Sequence, residues 1–461
     1  MRMPRLSSPM IDDLRSFTEQ IRGDVVLPGD DGWDAARQAW NLAVDQQPIA
    51  VVLPETAEDV VATVRLAAEQ GLKLAFNAGG HNAGPISWDD PTILLKTERM
   101  RGIEIDPSTG RARVEAGVLA KPLALAAGEH GLAFLSGTSP DVGVVGYALG
   151  GGLSWLGRRY GLACDSIVSA EVVTADGRLV RADHETEREL FWALRGGSGN
   201  LAAVTALEFE LMPLPELYAG ALFWPIERAA EVLSAWRRWI EAVPDTCTSL
   251  GRMLQLPDVP FLPEHLRARS FVLVEAVCIA SEADAAALLA PLRALEAEFD
   301  TFRTMPPSDL SLVNMDPEEP LPYDGDGTLL DAFPPEAVSP LVDAFVGSPM
   351  LHVEIRHLGG ALATSSPDHG VLDAIEQPFV LFTFGLAPDP EVLAAVRDHA
   401  QRVIASVGPW DSGRRYLNFA ETRVDPRTIY PAATFDRLLA AKARYDPTDM
   451  FTANHPLRRD P

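Results

Sequence analysis

Residues 143–152 read Gly-Val-Val-Gly-Tyr-Ala-Leu-Gly-Gly-Gly, five glycines in ten positions. Glycine loses more chain entropy on folding than any other residue, so this density points to close backbone approach to a ligand. Exposed amides in such a loop can hold a phosphate or the edge of a ring. The G-x-G-x-x-G spacing is absent, so this is not a dinucleotide fingerprint. Earlier in the chain, Gly79-Gly80-His81 follows a short apolar run. A lone histidine is more often structural than reactive; one that follows two glycines in a loop is a candidate for chemistry. A third set, His352, Glu354 and Arg356, alternates along one segment, and a strand would present all three on one face. They read equally as an acid–base set or as a solvated face with an ion pair.

Elements that position these residues can be read around them. Ile49–Leu53 is a strand, and Thr56 with Asp59 forms a capping box for a helix whose apolar face is Val60, Val61, Val64, Ala67 and Ala68. A short strand, Leu72 to Phe76, delivers the chain to His81. Ile93–Lys96, Gly102–Ile105 and Arg111–Ala116 read as further strands, and Ala120–His130 as a helix. From Ile167 the pattern is a hairpin turning at Ala175-Asp-Gly177, followed by a helix at Glu187–Arg195 and a strand at Ala202–Leu211. Composition shifts at Met212-Pro-Leu-Pro215. Beyond it, helices at Glu227–Ala242, Glu282–Leu295 and Pro390–Ser406 mix with strands at Ser270–Ile279, His352–Leu358 and Phe379–Leu386 without strict alternation. That order predicts an antiparallel sheet covered on one face by helices. Met305–Pro335, rich in Pro, Asp and Gly, reads as a long loop.

A chain of 461 residues is too long for one ordinary core, so two domains are expected. The expected division is 1–214, with its core at about 45–214, then 215–413, then a C-terminal segment 414–461 that returns to the first domain. A net charge of −26 disfavours nucleic acid and anionic membrane surfaces as partners. Met1 to Asp31 shows no leader pattern and no stretch is apolar enough to span a bilayer, so a cytoplasmic location is expected. Cys164, Cys247 and Cys278 give no disulfide framework and read as buried thiols. Four lysines against thirty-five arginines hint at a GC-rich bacterial genome.

Taken together, the motifs resemble the berberine-bridge-enzyme-like family of the vanillyl-alcohol-oxidase (PCMH-type) flavoproteins. The likeness rests on Asn77-Ala-Gly-Gly-His-Asn82 and on Ser139-Pro-Asp-Val-Gly-Val-Val-Gly-Tyr-Ala-Leu-Gly-Gly-Gly152. It continues through Arg159-Tyr-Gly-Leu-Ala163, Ala170 to Gly177 and Leu190 to Gly197. It ends in Tyr416-Leu-Asn-Phe419, Arg444-Tyr-Asp-Pro447, Met450-Phe451 and Asn454. The resemblance implies an α+β fold: a PCMH-type, two-subdomain FAD-binding domain, plus a substrate domain whose antiparallel sheet is covered by helices.

It further implies FAD bonded covalently to His81. Ser139 stands where many relatives place a second, cysteine attachment, which implies a single bond. Asn77, Ala78, Gly79, Gly80, Asn82, Thr138, Ser139, Val142, Gly143, Val144, Gly146, Tyr147, Gly150, Gly151, Val204, Tyr416, Asn418 and Asn454 are the implied cofactor contacts. Val144 falls at the position that gates oxygen, and its small side chain resembles the oxidase pattern; its plain reading is a core valine. Relatives often carry glycine near Leu201-Ala-Ala203. Phe419 replaces the tyrosine that serves several relatives as base, so the base passes to Tyr147, His352, Glu354 or Arg356. The expected activity is oxidation of a small organic substrate, an alcohol first, with molecular oxygen as acceptor and hydrogen peroxide released. A dehydrogenase, a natural-product tailoring enzyme, or a flavin-binding protein without turnover are the alternatives. Monomer and homodimer are both open.

Overall fold

The computed structural model describes residues 8–260 and 264–458; the first seven residues of the segment read for a leader lie outside it. Among the described residues, three sheets of five or more strands organise the chain, beside a two-stranded pairing of Leu132–Ala133 with Met212–Pro213. The first holds Asp24–Val26, Ala50–Leu53, Thr92–Lys96, Lys73–Asn77 and Phe451–Thr452 in that order. Its last four strands are parallel, so their ends point the same way and the chain leaving Asn77 emerges at one edge. The capping box is formed: the Thr56 side chain accepts from the Asp59 N–H, and Asp59 returns the bond. Val60, Val64 and Ala67 are fully buried beneath the sheet. Ala68 is exposed rather than inward, because the helix turns it past the edge of the apolar stripe.

The second sheet runs Ile103–Asp106, Arg111–Glu115, Ala203–Glu210, Ile167–Val173, Leu179–Asp183, all antiparallel. Its last pair is the expected hairpin, with Gly177 at φ +75° in the turn.

The third is an eight-stranded antiparallel sheet. Its main path is Phe299–Asp300, Leu217–Pro225, Ser270–Cys278, Cys247–Gln255, His352–His357, Phe379–Leu386 and Tyr323–Leu330. Alternation sorts its side chains into two faces. Leu222, Trp224, Val272, Val274, Val353, Ile355 and Leu381 meet Val232, Leu233 and Trp236 of helix Ala229–Trp239. They also meet residues of helices Glu282–Arg293, Pro335–Phe345 and Pro390–Ser406. The opposite face looks toward the other two sheets. The chain is thus α+β with an antiparallel sheet covered on one face, as the sequence predicts.

Two readings are corrected. Met305–Pro335 is not a loop: it contains a short helix, Ser311–Asn314, and the strand Tyr323–Leu330, every residue of which is buried. Its glycines are required by close packing, since a Cβ on Gly325 would stand 2.0 Å from the Thr383 carbonyl oxygen. Asp324 and Asp326 turn toward helix Pro390–Ser406, where Arg397 and Gln401 donate to them at 2.8 and 3.0 Å. The cysteine reading also changes. Cys247 and Cys278 are register partners on neighbouring strands and form a disulfide, leaving Cys164 as the free, buried thiol. A separation of 31 residues in sequence gives no sign of that register. Among the described residues, no helix is long and apolar enough to cross a membrane.

Candidate active site

His81 leaves the first sheet on a loop that glycine makes possible. Gly80 has φ +92°, and a Cβ there would press on Ala39 at 3.1 Å. Trp40 donates its backbone N–H to the Gly79 carbonyl at 2.9 Å, and its indole stacks on the imidazole of His81 at 4.1 Å between centroids, 17° from parallel. The Tyr323 hydroxyl donates to the His81 carbonyl at 2.7 Å. Asn82 is anchored through the Ala420 carbonyl, 3.1 Å, and by the amide of Asn454, 3.2 Å.

The second glycine-rich stretch comes directly against the first. A Cβ on Gly143 would lie 2.7 Å from the Ala78 Cβ, so the two loops meet only because Gly143 has no side chain. From there the chain is a short helix, Val144–Leu149, and not a continuous loop. Gly146 faces open space, with nothing within 4 Å of a would-be Cβ. The three glycines that follow serve protein packing. A Cβ on Gly150 would sit 1.7 Å from Oδ1 of Asn418, whose amide donates to the Tyr147 carbonyl at 2.9 Å. Gly151, at φ +108°, lies against Leu372 and Tyr416, and Gly152 against Ala163 and Tyr147.

These loops, the third sheet and the C-terminal segment enclose a cavity of about 1010 Å³, at the top of the roughly 300–1,000 Å³ usual for one drug-sized ligand. Asn77, Ala78, Gly79, Gly80, His81, Asn82, Thr138, Ser139, Val142, Gly143, Gly146, Tyr147, Val204, Tyr416, Asn418 and Asn454 all line it, together with His352, Glu354 and Arg356. Val144, Gly150 and Gly151 do not. Val144 is fully buried in the core, and Val142 and Val145 face the cavity instead. One step along a helix turns a side chain about 100°, which is enough to exchange the two.

The sheet-facing wall is built by strand register. Arg252 pairs with Glu354, and Glu354 with Phe382, so a charged lane runs beside an aromatic one. Arg356 donates through Nε to Glu354 Oε1 at 2.7 Å, while Glu354 Oε2 is buried with no partner among the described residues. Arg252 pairs with Glu275 and donates to the Asn314 carbonyl at 3.0 Å. Burial pushes Glu275 up to about 7 against the pull of Arg252. Burial, with Arg252 and Arg356 close by, pushes His352 down to about 3, so the ring is neutral, stacked on Phe384 at 5.2 Å. Phe419 packs on Phe382 at 4.7 Å, with the Arg356 guanidinium over its ring at 4.9 Å.

The two tyrosines differ. Tyr147 donates its hydroxyl to the Leu135 carbonyl at 3.0 Å, and burial pushes its pKa well up. That bond commits the hydroxyl proton to a backbone carbonyl that does not line the cavity, while the Tyr147 side chain does. The Tyr416 hydroxyl is buried beside the backbone amides of Gly152 and Leu153. The sequence reading did not include Trp40, Asp141, Arg252, Glu275, Tyr323 or Glu421 among the site residues. Arg252 lies on a strand, Cys247–Gln255, that the sequence pattern did not reveal. Glu421 lines the cavity within reach of Tyr323, 3.3 Å, and burial beside Asp324 and Asp326 pushes it well up. Its nearness to the Phe419 position was the one available signal.

Comparison with known proteins supplies the family context. Residues 48–183 match the model of an FAD binding domain, and residues 415–458 match the berberine and berberine-like model. The chain is 28% identical to (R)-6-hydroxynicotine oxidase of Paenarthrobacter nicotinovorans, over 94% of this chain and 96% of that one. It is 33% identical to glucooligosaccharide oxidase of Sarocladium strictum, over 46% of this chain and 43% of that one. Among solved structures, 6-hydroxy-D-nicotine oxidase from Arthrobacter nicotinovorans superposes with a TM-score of 0.81 at 25% identity, covering 94% of this chain and 96% of the other. Berberine bridge enzyme from Eschscholzia californica shares the fold, with a TM-score of 0.83 at 19% identity, covering 96% and 99%.

Proposed function

We propose that this chain, whose residues 48–183 match an FAD binding domain and whose residues 415–458 match the berberine-like model, is an oxidase holding FAD by one covalent bond to His81. Its substrate in this reading is a small organic molecule, an alcohol first, and molecular oxygen is the acceptor, released as hydrogen peroxide. Bound FAD supplies the hydride acceptor and the two-electron exchange with oxygen. The chain's own residues do the rest.

The backbone of Gly79, Gly80, Gly143 and Gly146 forms the cradle, with open room beside Gly146 that a larger side chain would fill. The buried and unpartnered Asn77 Oδ1 awaits a donor, so the residues present fit the cofactor. Ser139 has no thiol to offer and instead donates to Asp316 at 2.6 Å, which supports single attachment. Glu354 receives the substrate's proton at Oε2, Arg356 fixes the carboxylate through Oε1, and the Tyr416 hydroxyl orients the reacting group. Phe382, Phe384 and Phe419 exclude water around them. In this proposal 1–214 and 414–461 hold the cofactor, and 215–413 chooses the substrate.

The observation that carries the reading is that the free Glu354 oxygen and the His81 loop share one cavity. The test is acid precipitation of wild type and His81→Ala, followed by a panel of substrates under anaerobic and aerobic conditions. Flavin colour in the wild-type pellet alone, bleaching by a substrate without air, and stoichiometric peroxide in air are the expected results. Bleaching without peroxide would make the enzyme a dehydrogenase, and no bleaching with any substrate would leave a flavin-binding protein. The aromatic wall favours a flat apolar substrate, closer to the hydroxynicotine named for one relative than to the oligosaccharide named for another.

A further inference from the structure

One cluster is built around His81 more closely than simple display of the ring requires. His81 Nε2 lies 3.4 Å from Asp141 Oδ1, and both atoms are buried with no hydrogen-bond partner among the described residues. The other Asp141 oxygen accepts from the Trp40 indole N–H, and that same indole stacks on the imidazole. The His81 and Asp141 side chains retain only 20% and 13% of their exposure, so little water screens the pair. Ring plane, carboxylate and backbone are fixed by residues 40, 141 and 323, which are remote from one another in sequence.

A carboxylate that faces Nε2 selects the tautomer with its proton there and leaves Nδ1 with a free lone pair. That is the arrangement of an activated nucleophile and its orienting acid residue. On the reading that His81 carries FAD, we infer that Asp141, held by Trp40, is a positioning residue for flavin attachment: it makes Nδ1 the bonding nitrogen and receives the imidazole proton. The bond formed joins Nδ1 to the carbon of the flavin's 8-methyl group. One C–H bond of that methyl breaks, and its hydrogen leaves as a proton while the electron pair enters the flavin ring. The Nε2 proton is lost toward Asp141. Dioxygen then takes the two electrons and two protons as hydrogen peroxide, restoring the oxidised ring.

The test uses the full-length chain, purified at successive times after induction, with bound flavin divided between acid pellet and supernatant. Wild type is compared with His81→Ala, Asp141→Asn and Trp40→Phe. The expected result is attachment slowed about ten-fold or more in Asp141→Asn, the scale of losing one orienting negative charge beside the imidazole. Trp40→Phe, which keeps an aromatic ring but removes the donor, is expected to be slowed less. Once attached, the flavin of Asp141→Asn is expected to have a more positive midpoint potential, because a negative charge beside the linked imidazole has gone; a purely structural role would leave it unmoved. Attachment at the wild-type rate in Asp141→Asn, with a yellow wild-type pellet, overturns the role of Asp141 and leaves His81 attachment standing. A colourless wild-type pellet overturns both. Should Asp141→Asn bind no flavin at all, Trp40→Phe decides, and a wild-type rate there overturns the inference.

Discussion

The wall of the cavity around His81 is made of backbone, drawn from two short stretches, 77–82 and 138–147, that touch where Gly143 meets Ala78. The facing wall is made of side chains standing on three neighbouring strands: Arg252 on one, His352 and Glu354 on the next, and Phe382 on the third. The first is sensitive to added volume, because amides reach a ligand only if no Cβ intervenes. The second is sensitive to lost partners, because a charge buried there has little water to fall back on. A backbone wall suits a cofactor that never changes. A side-chain wall lets one fold take many substrates, since each strand position can vary without moving its neighbours.

This contrast can be broken most directly at Glu354. Glu354→Gln keeps the shape and removes the proton acceptor, so anaerobic flavin bleaching should slow by roughly 10²–10⁴-fold, while flavin content stays at the wild-type level. A matching loss of flavin would show that the two walls are not separable. Next in size is the disulfide that ties the strands bearing Arg252 and Glu275. Replacing Cys247 and Cys278 together by alanine should cost about 2–4 kcal/mol, seen as a lower urea midpoint that reducing agent no longer shifts. Gly143→Val tests the opposite wall. Its Cβ would meet Ala78 at 2.7 Å, an overpacking expected to cost about 1–3 kcal/mol and to lower flavin loading more than it lowers the urea midpoint. Unchanged loading would remove the case for a glycine cradle.

The smallest effect concerns pH. Glu275 has an ordinary value of 4.5 and is raised to about 7 in the folded chain. Between those values the folded state holds the proton and the unfolded state has lost it, so this group's contribution falls as pH rises from 4.5 to 7 and is flat above. Urea unfolding at pH 5 and 7.5 should show that decline in wild type and a flatter profile in Glu275→Gln. An unchanged decline in the variant would assign the pH dependence to another group.

How much of this was legible beforehand follows the same division. Both glycine stretches are contiguous, so the motif at residues 77–82 and the one at 139–152 could be found by eye and placed on one ligand. Even there, the side chain that borders the cavity is that of Val145 and not Val144, since the two are adjacent in sequence and differ only by a helical turn angle. The strand Tyr323–Leu330 was hidden because its glycines and aspartates carry a loop's composition. Their reason for being in a strand lies in Thr383, Arg397 and Gln401, far along the chain.

Alone, the sequence determined the local geometry: the capped helix at Ala57–Gln70, the hairpin at Gly177, the glycine turn that offers His81 and the missing thiol at Ser139. Those depend on backbone entropy, capping and side-chain chemistry within a few residues of each other. Tertiary structure alone decided that His81 faces Asp141, that Glu354 keeps one oxygen free, that Tyr147 spends its hydroxyl on Leu135 and that Cys247 meets Cys278. Each of these is a pairing across the fold, fixed by strand register and by which polar groups burial leaves without water, and neither quantity is local to the chain.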